Sequence, residues 1–507
     1  MKCIKGTELR DYCKNWLEQR HIAMPRDIAE AFHEACMKWD LRVVLLVGMK
    51  GTGKTTLMMQ EILRIGDFDR TIFIQCDEGD RDSMDAFEEI IKDNQDRKYI
   101  FVSEVAIMKD FIPSAAKFSD LYISSRYIFS GTDSFSMTLA MEDELFDRAH
   151  AFHMIPLFYS EAHRVFHQDF EIYLRYGGRI EGGESIYESL DSFRATDERI
   201  ISENFMHSLA PDILRRSYSY QKMRNAVKEH RMPDYIEKAL LRCNQPFMEK
   251  AVDEAFASLS LASAGDKAWE KDVRKGLRSV FSIWKMKNDP DRLWATNGTD
   301  DAKECLSELR IIRWHKSVLD DSEEITFYQP GLRFCLSLEM LRQLREAGDI
   351  YWMKYGGMLE RLWNAVEKTI QENVMKELIE LQLETNPDIR DHYEITKYWK
   401  TGPTFLWMEK GSHGAILIDV RAAKTCRPES DGTEERMNAP KICKHIEWWS
   451  SGKIRGKIVL YLGEDTCCEN GICYLHAGDF LCHPQEKLQE AVRHYQSSGI
   501  TKESYDA

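Results

Sequence analysis

Residues 41–60 read LRVVLLVGMKGTGKTTLMMQ, and this stretch decides the fold of the chain around it. Five apolar residues precede residues 48–55, which fit the phosphate-loop pattern G-x-x-x-x-G-K-[ST], and a helix-forming segment follows them. The pattern predicts a buried strand, a loop whose backbone N–H groups surround phosphate oxygens, and a helix whose N-terminus adds a positive dipole end. The sequence therefore predicts that the chain binds a nucleoside triphosphate.

Each position of this loop has an expected role. Lys54 is expected to reach the β- and γ-phosphates, and the Thr55 hydroxyl is placed to ligate Mg²⁺. ATP and Mg²⁺ are the predicted cofactors, although the motif contacts phosphates and leaves the base preference open. The residues predicted to contact the nucleotide are Gly48, Met49, Lys50, Gly51, Thr52, Gly53, Lys54, Thr55 and Thr56.

Length and composition predict a multidomain globular protein. The chain has 507 residues, is 43% hydrophobic and 30% charged, and carries a formal net charge of −15. This length exceeds what one hydrophobic core supports. No apolar run approaches the ~20 residues that span a bilayer. The charged start, MKCIKGTELR, lacks a signal-peptide core, so a cytoplasmic protein with no membrane contact is expected.

Charge and cysteine content narrow the class further. A protein whose main task is to hold nucleic acid usually has a basic excess, which this acidic chain lacks. Its thirteen cysteines are scattered through a chain without a signal peptide, which predicts reduced thiols.

Apolar strands alternate with helical segments up to residue 158. Residues 1–40 are predicted to be helical. Such alternation predicts a parallel sheet covered on both faces, in a first domain of residues 1–158. After the strand at residues 43–47, strands are predicted at residues 70–76, 98–105, 127–130 and 151–157.

The rest of the chain divides into two predicted domains. Residues 159–347 form a helical region in which residues 324–338 are predicted to be a β-ribbon with a Pro-Gly turn, an order that suits a winged-helix unit. Its predicted helices are residues 160–175, 186–193, 197–210, 220–229, 248–258, 268–285 and 301–317, with a linker at residues 288–301. Residues 348–507 are α/β again, with helices at residues 358–383 and 437–449 and strands at residues 392–398, 405–409, 415–420 and 457–462.

Residues 99–104, YIFVSE, end a predicted strand where a triphosphatase holds its Mg²⁺ carboxylate and its water-activating base. Glu104 takes the place of the base, against the simpler interpretation of an ordinary strand-end acid. Ser103 takes the place of the Mg²⁺ carboxylate, and its hydroxyl can hydrogen-bond a Mg²⁺-bound water without opposing the metal charge. Slow hydrolysis is expected unless another acid, such as Asp77 or Asp133, contributes.

Three more residues are candidates for sensing the γ-phosphate. Ser130 or Thr132, in SGTDS after the fourth predicted strand, is placed to contact it, and an ordinary turn explains this composition equally well. Arg148 is a candidate for neutralising γ-phosphate charge, in its own subunit or in a neighbour's. An arginine in such a position is more often a surface residue.

The order of these features resembles a known family. The segments LVGMKGTGKTT, YIFVSEV, FSGTDS, LFDRAHAFHMIPLFYSE and YLRYGG resemble AAA-family P-loop ATPases of bacteria and archaea that carry a C-terminal domain of unknown function. The resemblance implies an AAA-type parallel sheet of order 5-1-4-3-2, a helical and winged-helix middle, and a C-terminal domain similar to PD-(D/E)XK nucleases. Ser103 departs from the Asp that is usual in the family.

A nuclease of that kind needs an Asp on one strand and E/D-x-K on the next, so that two carboxylates hold Mg²⁺. In residues 415–424, AILIDVRAAK, Asp419 and Arg421 occupy the E-x-K positions and Lys424 lies three residues further on. Glu409 and Glu360 are the other acids considered. Because arginine cannot give up a proton and one carboxylate is missing, a degenerate structural copy is favoured.

Six residues near the C-terminus carry metal-ligand side chains: Cys467, Cys468, Cys473, His476, Cys482 and His483. They lack the C-x₂-C pairs typical of zinc sites, so buried thiols are favoured over zinc.

The leading hypothesis is a Mg²⁺-dependent ATPase that acts as a nucleotide-driven switch in an intracellular protein. Two alternatives remain. One is a scaffold that holds ATP with little hydrolysis and recruits a protein or DNA partner through its C-terminal half. The other is an ATP-gated nuclease, which requires Asp419, Glu409 and Lys424 to converge in space. The sequence leaves the oligomeric state open, a homo-oligomer included.

Overall fold

The architecture comes from a computed structural model of the chain. It describes residues 1–22, 24–38, 42–48, 51–77, 84–105, 108, 111, 120, 124–131, 137, 145, 148–178, 232–262, 268–284, 303, 306–307, 310–316, 323–397, 404–410, 414–425 and 433–498. The predicted helices at residues 186–193, 197–210 and 220–229 and the predicted linker lie outside the described residues.

The N-terminal part is built around a six-stranded sheet of order β1-β3-β4-β5-β2-β6. Strands β2 to β6 are parallel, and in order of appearance along the chain they lie 5-1-4-3-2, the order that the family resemblance implies. The sheet order is thereby confirmed. The strands are β1 (Lys2–Lys5), β2 (Val43–Val47), β3 (Thr71–Gln75), β4 (Tyr99–Ser103), β5 (Arg126–Gly131) and β6 (Ala149–His153).

The prediction that residues 1–40 are wholly helical is wrong at its start. Strand β1 pairs antiparallel with β3, with Lys2 opposite Gln75 and Lys5 opposite Ile72. Only Ile4 of this strand is fully buried, and the lysines keep its outer side polar, as is usual for an edge strand. Two helices follow, α1 (Gly6–Glu18) and α2 (Ala29–Met37), where helices are predicted.

Strand β2 is buried on both faces, which explains its uninterrupted apolar run. Val43, Leu45 and Val47 pack on the face covered by α4 (Met84–Asp93). Val44 and Leu46 pack on the face covered by α1 and α3 (Lys54–Ile65). The strand is therefore fixed from both sides just before the phosphate-loop motif begins.

The middle of the chain is mostly helical. Its elements are α5 (Tyr159–Phe166), α6 (Phe170–Tyr176), α7 (Met232–Ala262), α8 (Ala268–Trp284), β7 (Ile312–Lys316), β8 (Glu323–Phe327) and α9 (Pro330–Gly348). Strand β7 pairs antiparallel with β8, which corrects the helix predicted at residues 301–317. Pro330 starts α9 instead of forming a turn within a ribbon, because its fixed φ suits the first position of a helix.

The C-terminal part contains a second six-stranded sheet of order β13-β14-β12-β11-β10-β9. Strands β9, β10 and β11 form an antiparallel meander, and β12 then lies parallel to β11. The strands are β9 (Tyr393–Lys397), β10 (Phe405–Glu409), β11 (Gly414–Val420), β12 (Lys453–Tyr461), β13 (Cys467–Glu469) and β14 (Ile472–His476). The helices are α10 (Trp352–Thr385), α11 (Pro387–Arg390), α12 (Thr433–Asn438), α13 (Pro440–Trp449), α14 (Ala477–Cys482) and α15 (Pro484–Ser497).

One hydrophobic core runs from the helices into this second sheet. Helix α10 packs against α7 and α9 and also touches β9 and β11. The predicted boundary at residues 347/348 thus falls between two helices that share a core, and the division into three domains stays a prediction. None of the helices in the described part of the chain combines the length and the apolar character that a membrane crossing needs.

A buried arginine organises the helical region. Arg333 on α9 is 2% exposed, and its fork donates to Glu377 of α10 at 2.6 and 3.0 Å. It also donates to Asn244 of α7 at 3.1 Å and to the carbonyl of Ile325 in β8 at 2.8 Å. Four elements therefore meet at one guanidinium.

We predict that Arg333→Ala destabilises the protein strongly. The change leaves Glu377 without its buried partner, which costs about 3–5 kcal/mol. Arg333→Lys should recover little, because an ammonium cannot donate as a fork. Thermal denaturation checks this against Arg342→Ala, which removes a half-exposed arginine paired with Glu339 on the same helix and should cost less than about 1 kcal/mol. Equal effects of Arg333→Ala and Arg342→Ala would contradict the prediction.

Candidate functional site

The phosphate-loop motif forms a tight turn between β2 and α3. Gly48 has φ +152°, and a Cβ there would lie 2.7 Å from the Cβ of Met154, so only glycine fits. Gly53 has φ +85° and caps the N-terminus of α3, a backbone conformation that glycine adopts without strain. The N-terminus of α3 therefore lies at the end of the loop, where the helix dipole favours an anion.

Lys54 lies inside this turn. Its side chain is buried, and its ammonium donates a 2.6 Å hydrogen bond to the carbonyl of Gly48. The ammonium is thus held over the loop, where the motif predicts the β- and γ-phosphates. Met49 and Lys50, also predicted to contact the nucleotide, lie outside the described residues.

The predicted metal-side residues come together. The hydroxyl oxygens of Thr55, at the start of α3, and Ser103, at the end of β4, are 3.5 Å apart. Ser103 is buried, so this pair lies at the inner side of the loop. Sequence reasoning placed these two residues on either side of one Mg²⁺ ion, and the geometry accommodates that arrangement.

Glu104 directly follows Ser103 and has an unusual backbone. Its φ is +61°, in the left-handed region that residues other than glycine seldom adopt. Such conformations cost about 1–3 kcal/mol and cluster at functional sites. The half-buried Glu104 is therefore held at the strand end by its surroundings, in the position predicted for a water-activating base.

Strand β5 lies between β2 and β4 and brings Ser130 to the same end of the sheet. Ser130 stands opposite Leu46 in the register, two residues before the loop begins on the neighbouring strand. Its hydroxyl is fully buried and has no hydrogen-bond partner among the described residues. A buried hydroxyl without a partner is costly, which fits a position next to a ligand or its water. Thr132 and Asp133 lie outside the described residues.

Arg148 lies at the wrong end of the sheet for the role considered in its own chain. Its carbonyl accepts a hydrogen bond from the N–H of Val43, at the start of β2, and the loop begins after the end of that strand. The five residues of β2 separate Arg148 from the start of the loop by about 16 Å. Its half-exposed side chain pairs with Asp120 at 3.1 Å. The position of Arg148 therefore excludes contact with a γ-phosphate bound in the same chain.

The residues present fit a nucleotide phosphate chain with Mg²⁺. Positive groups converge on the loop, the Thr55 and Ser103 hydroxyls are adjacent, and the Ser130 hydroxyl is unsatisfied. Hydroxyls are neutral ligands for a hard cation, so the set offers less negative charge than an aspartate would supply. Asp77, the other described acid considered, is exposed beyond the end of β3.

One residue of the site escaped the sequence reasoning. Arg26, before α2, is 4% exposed, and its guanidinium donates to the carbonyl of Thr52 in the phosphate loop. The same side chain forms a two-point ion pair with Glu161 of α5, with one contact at 3.1 Å, and Glu161 also accepts from the N–H of Asp27 at 3.0 Å. The partners are far apart in sequence, so no local pattern could indicate the pair.

Helix α5 continues this connection to the C-terminal part. Tyr159, at its first turn, packs so closely on Gly478 of α14 that a Cβ there would lie 2.8 Å from the tyrosine hydroxyl. Phe170 of α6 stacks edge-on against His476, which precedes α14. The phosphate loop, Arg26, Glu161 and α14 are therefore joined by continuous contact.

The acids considered for a nuclease do not converge. Asp419, near the end of β11, is buried and accepts hydrogen bonds from Arg421 at 2.9 Å and from Thr404 at 2.9 Å. Glu409 is the last residue of β10. The first residue of that strand, Phe405, pairs with Ile418, the neighbour of Asp419. Glu409 therefore lies about 14 Å along the strand from this point. Lys424 pairs instead with Glu171 of α6 at 2.7 Å.

The remaining candidates of the C-terminal part are Glu360 and the residues with metal-ligand side chains. Glu360 is exposed on α10. Among the C-terminal cysteines, Cys468 and Cys473 are joined as a disulfide, which departs from the predicted reduced thiols. His476 caps α14, where its ring nitrogen accepts from the N–H of Asp479 at 3.4 Å.

A family comparison identifies the N-terminal part. Residues 40–163 match the model of a family described as an AAA domain. This part of the chain is an AAA-type P-loop ATPase domain, in a protein of mixed α/β class, and such domains generally bind and hydrolyse ATP with Mg²⁺. The family match covers less than half of the chain. A search of curated proteins found no match to the chain.

Solved structures similar to this chain include three archaeal proteins. The Walker-type ATPase PABY2304 of Pyrococcus abyssi is 13% identical, with 62% of this chain and 98% of that chain covered and a TM-score of 0.33. Cdc6p of Pyrobaculum aerophilum is 11% identical, with 63% and 93% covered and a TM-score of 0.22. ORC1 of Aeropyrum pernix, solved in complex with DNA, is 10% identical, with 62% and 93% covered and a TM-score of 0.23. Similarity at this level carries no information about partners.

We predict that Arg26→Ala weakens nucleotide binding. Without the guanidinium, the Thr52 carbonyl loses its hydrogen-bond donor, and the loop loses the contact that fixes it to α5. We therefore expect the dissociation constant for nucleotide to rise about tenfold, which corresponds to about 1.4 kcal/mol. Titration of a fluorescent nucleotide measures this. The control is Arg64→Ala, which removes an exposed arginine paired with Glu30 and should leave affinity unchanged.

Stability separates loop anchoring from simple unfolding. Arg26→Ala leaves Glu161 buried and unpaired, so it should cost about 3–5 kcal/mol, whereas Arg26→Ala/Glu161→Ala should recover part of that loss. The double variant should still bind nucleotide weakly, because the loop donor is absent in both. Wild-type affinity in the folded double variant would refute the role of Arg26.

Proposed function

We propose that this protein is a Mg²⁺-dependent ATPase that acts as a nucleotide-driven switch, whose state passes from the phosphate loop to the C-terminal part. The observation that carries this proposal is the placement of Arg26, which contacts the loop carbonyl of Thr52 and the α5 carboxylate of Glu161 with one side chain. A change in the loop therefore acts directly on α5, and α5 lies against α14.

The loop residues bind and orient the phosphates. The N–H groups at the start of α3 donate hydrogen bonds to the phosphate oxygens, and Lys54 exchanges its bond to the Gly48 carbonyl for one to a phosphate oxygen. Thr55 offers its hydroxyl as the ligand for Mg²⁺, which neutralises phosphate charge when bound. The exchange at Gly48 changes the loop close to the Thr52 carbonyl, to which Arg26 donates a hydrogen bond.

Ser103 and Glu104 set the rate of hydrolysis. Glu104 orients and deprotonates the attacking water, and the Ser103 hydroxyl forms a hydrogen bond with a metal-bound water. A hydroxyl supplies no charge against the cation, so turnover is slow and the ATP-bound state is long-lived. Slow turnover suits a switch better than a motor, because each bound state persists long enough to be recognised.

A nucleotide-binding scaffold with little hydrolysis is the second candidate function, and Ser103 favours it. In that case the protein holds ATP and recruits a protein or DNA partner through its C-terminal half. Assembly into a homo-oligomer would give Arg148 a role at a neighbouring subunit's γ-phosphate, since it is half exposed and distant from the loop of its own chain.

We predict measurable but slow ATP hydrolysis by the natural chain. Lys54→Ala should lose nucleotide binding, and Glu104→Gln should bind ATP and stall. Ser103→Asp should raise kcat about tenfold, which corresponds to about 1.4 kcal/mol off the barrier, because the carboxylate opposes the metal charge. Steady-state phosphate release and nucleotide binding on all four proteins check this.

The matched control is Ser124→Asp, which adds the same charge at an exposed serine before β5, at the opposite end of the sheet. It should leave kcat unchanged. If the natural chain hydrolyses ATP no faster than Glu104→Gln, the switch proposal fails and the scaffold function replaces it.

We predict that nucleotide slows hydrogen exchange in α5 and α14. Glu104→Gln saturated with ATP should protect both helices relative to the nucleotide-free protein. Adding Arg26→Ala at saturating ATP should keep protection at the loop and remove it in α14, while Arg64→Ala should retain it in both. Protection of α14 that persists without Arg26 would show that the signal takes another route.

A further inference from the structure

The edge of the C-terminal sheet carries a cluster of metal-ligand side chains. Cys468 on β13 and Cys473 on β14 stand directly opposite each other in the antiparallel register. His494, from the last turns of α15, approaches the same point. One ligand atom from each of the three residues lies within 4.8 Å of the other two.

The cluster is enclosed but reachable. Cys473 is buried, whereas Cys468 and His494 are half-buried. Their face of the sheet is the one covered by α15, whose Leu488 and Ala491 pack in the same core as Cys473. An ion there would be shielded by protein on one side and open to solvent on the other.

These ligands suit a thiophilic divalent cation. Two thiolates and one imidazole are typical zinc ligands, with Zn–S near 2.3 Å and Zn–N near 2.0–2.1 Å. A tetrahedral ion with those bond lengths needs ligand atoms about 3.5–3.8 Å apart. The two sulfurs are bonded to each other here, so they must be reduced and move apart by side-chain rotation before both can bind the ion. Carboxylate-preferring ions such as Mg²⁺ and Ca²⁺ are disfavoured by the two sulfurs.

We propose that Cys468, Cys473 and His494 form a Zn²⁺ site in the reduced protein, with water in the fourth position. Metal binding needs both sulfurs as thiolates, so the disulfide seen between the two cysteines is the oxidised, metal-free form of the same pair. The site is independent of the nucleotide site and of the proposed ATPase function.

The ion would join two elements at the end of the chain. Strand β13 is the outermost strand of its sheet, and α15 packs along β12 and β14. A metal held by β13, β14 and α15 ties this edge hairpin to the helix, as structural zinc does in small domains. The sequence concealed the site because His494 lies far beyond the cysteines, on a helix.

The test measures the zinc content of the full chain after it has been purified with a phosphine reductant and dialysed against trace Zn²⁺. We expect one zinc per chain, and close to none in Cys468→Ser, Cys473→Ser or His494→Ala. His494→Cys should retain the metal, because it exchanges one zinc ligand for another. Cys482→Ser and His483→Ala, which change a nearby cysteine and a nearby histidine outside the cluster, should bind as the natural chain does.

A second readout keeps the test valid if a variant folds poorly. Co²⁺ added to the reduced natural chain should give thiolate charge-transfer absorption, and Zn²⁺ should displace it and protect two thiols from a thiol reagent. If the reduced, folded chain takes up neither ion, or if Cys482→Ser loses metal while Cys468→Ser keeps it, the assignment is wrong. A Cys468–Cys473 disulfide that persists under reductant would equally overturn it.

Discussion

A buried guanidinium, that of Arg26, joins the phosphate loop to the helix that follows the first sheet. Arg26 has almost no solvent contact, so its donors must be satisfied by protein, and the acceptors it uses belong to the phosphate loop and to α5. Removing either acceptor would leave a charge that water cannot reach. The loop, the segment before α2 and the first helix after the sheet must therefore keep fixed relative positions. This requirement makes α5 part of the nucleotide site, although it follows the last strand of the sheet.

Ser103 places a neutral hydroxyl beside the residue predicted to ligate Mg²⁺. The serine lies where a metal-holding acid would lie, next to Thr55, and the backbone of Glu104 beside it has the unusual φ of a constrained residue. Positioning is therefore intact, whereas the charge that would oppose Mg²⁺ is absent. Because the proposed phosphate contacts come from the loop and Lys54, the proposed function expects this residue to affect hydrolysis more than nucleotide affinity.

The parts of the fold that sequence predicts are those with a local physical signature. Strands β2 to β5 are mostly apolar because parallel strands are buried on both faces, and the loop motif carries its own glycine requirement. Strand β1 was missed because it is short and its partner is far along the chain, and β7 was read as helix because its pattern is weak outside its ribbon. Arg26 and His494 illustrate the same limit for sites. Each side chain acquires its role only from partners that folding brings close.

The second sheet supports a similar interpretation of the C-terminal part. Asp419 is buried, and its carboxylate oxygens accept hydrogen bonds from Arg421 and Thr404. A carboxylate paired in this way is committed to structure, since a metal would have to displace the guanidinium beside it. Asp419 lies near the end of β11, which joins the antiparallel meander to the parallel strand β12. Ser103 is a neutral hydroxyl and the Asp419 carboxylate is already paired, so both positions offer little negative charge to a metal. Under the proposed switch function, the C-terminal part would respond to the nucleotide through the packing of α5 on α14.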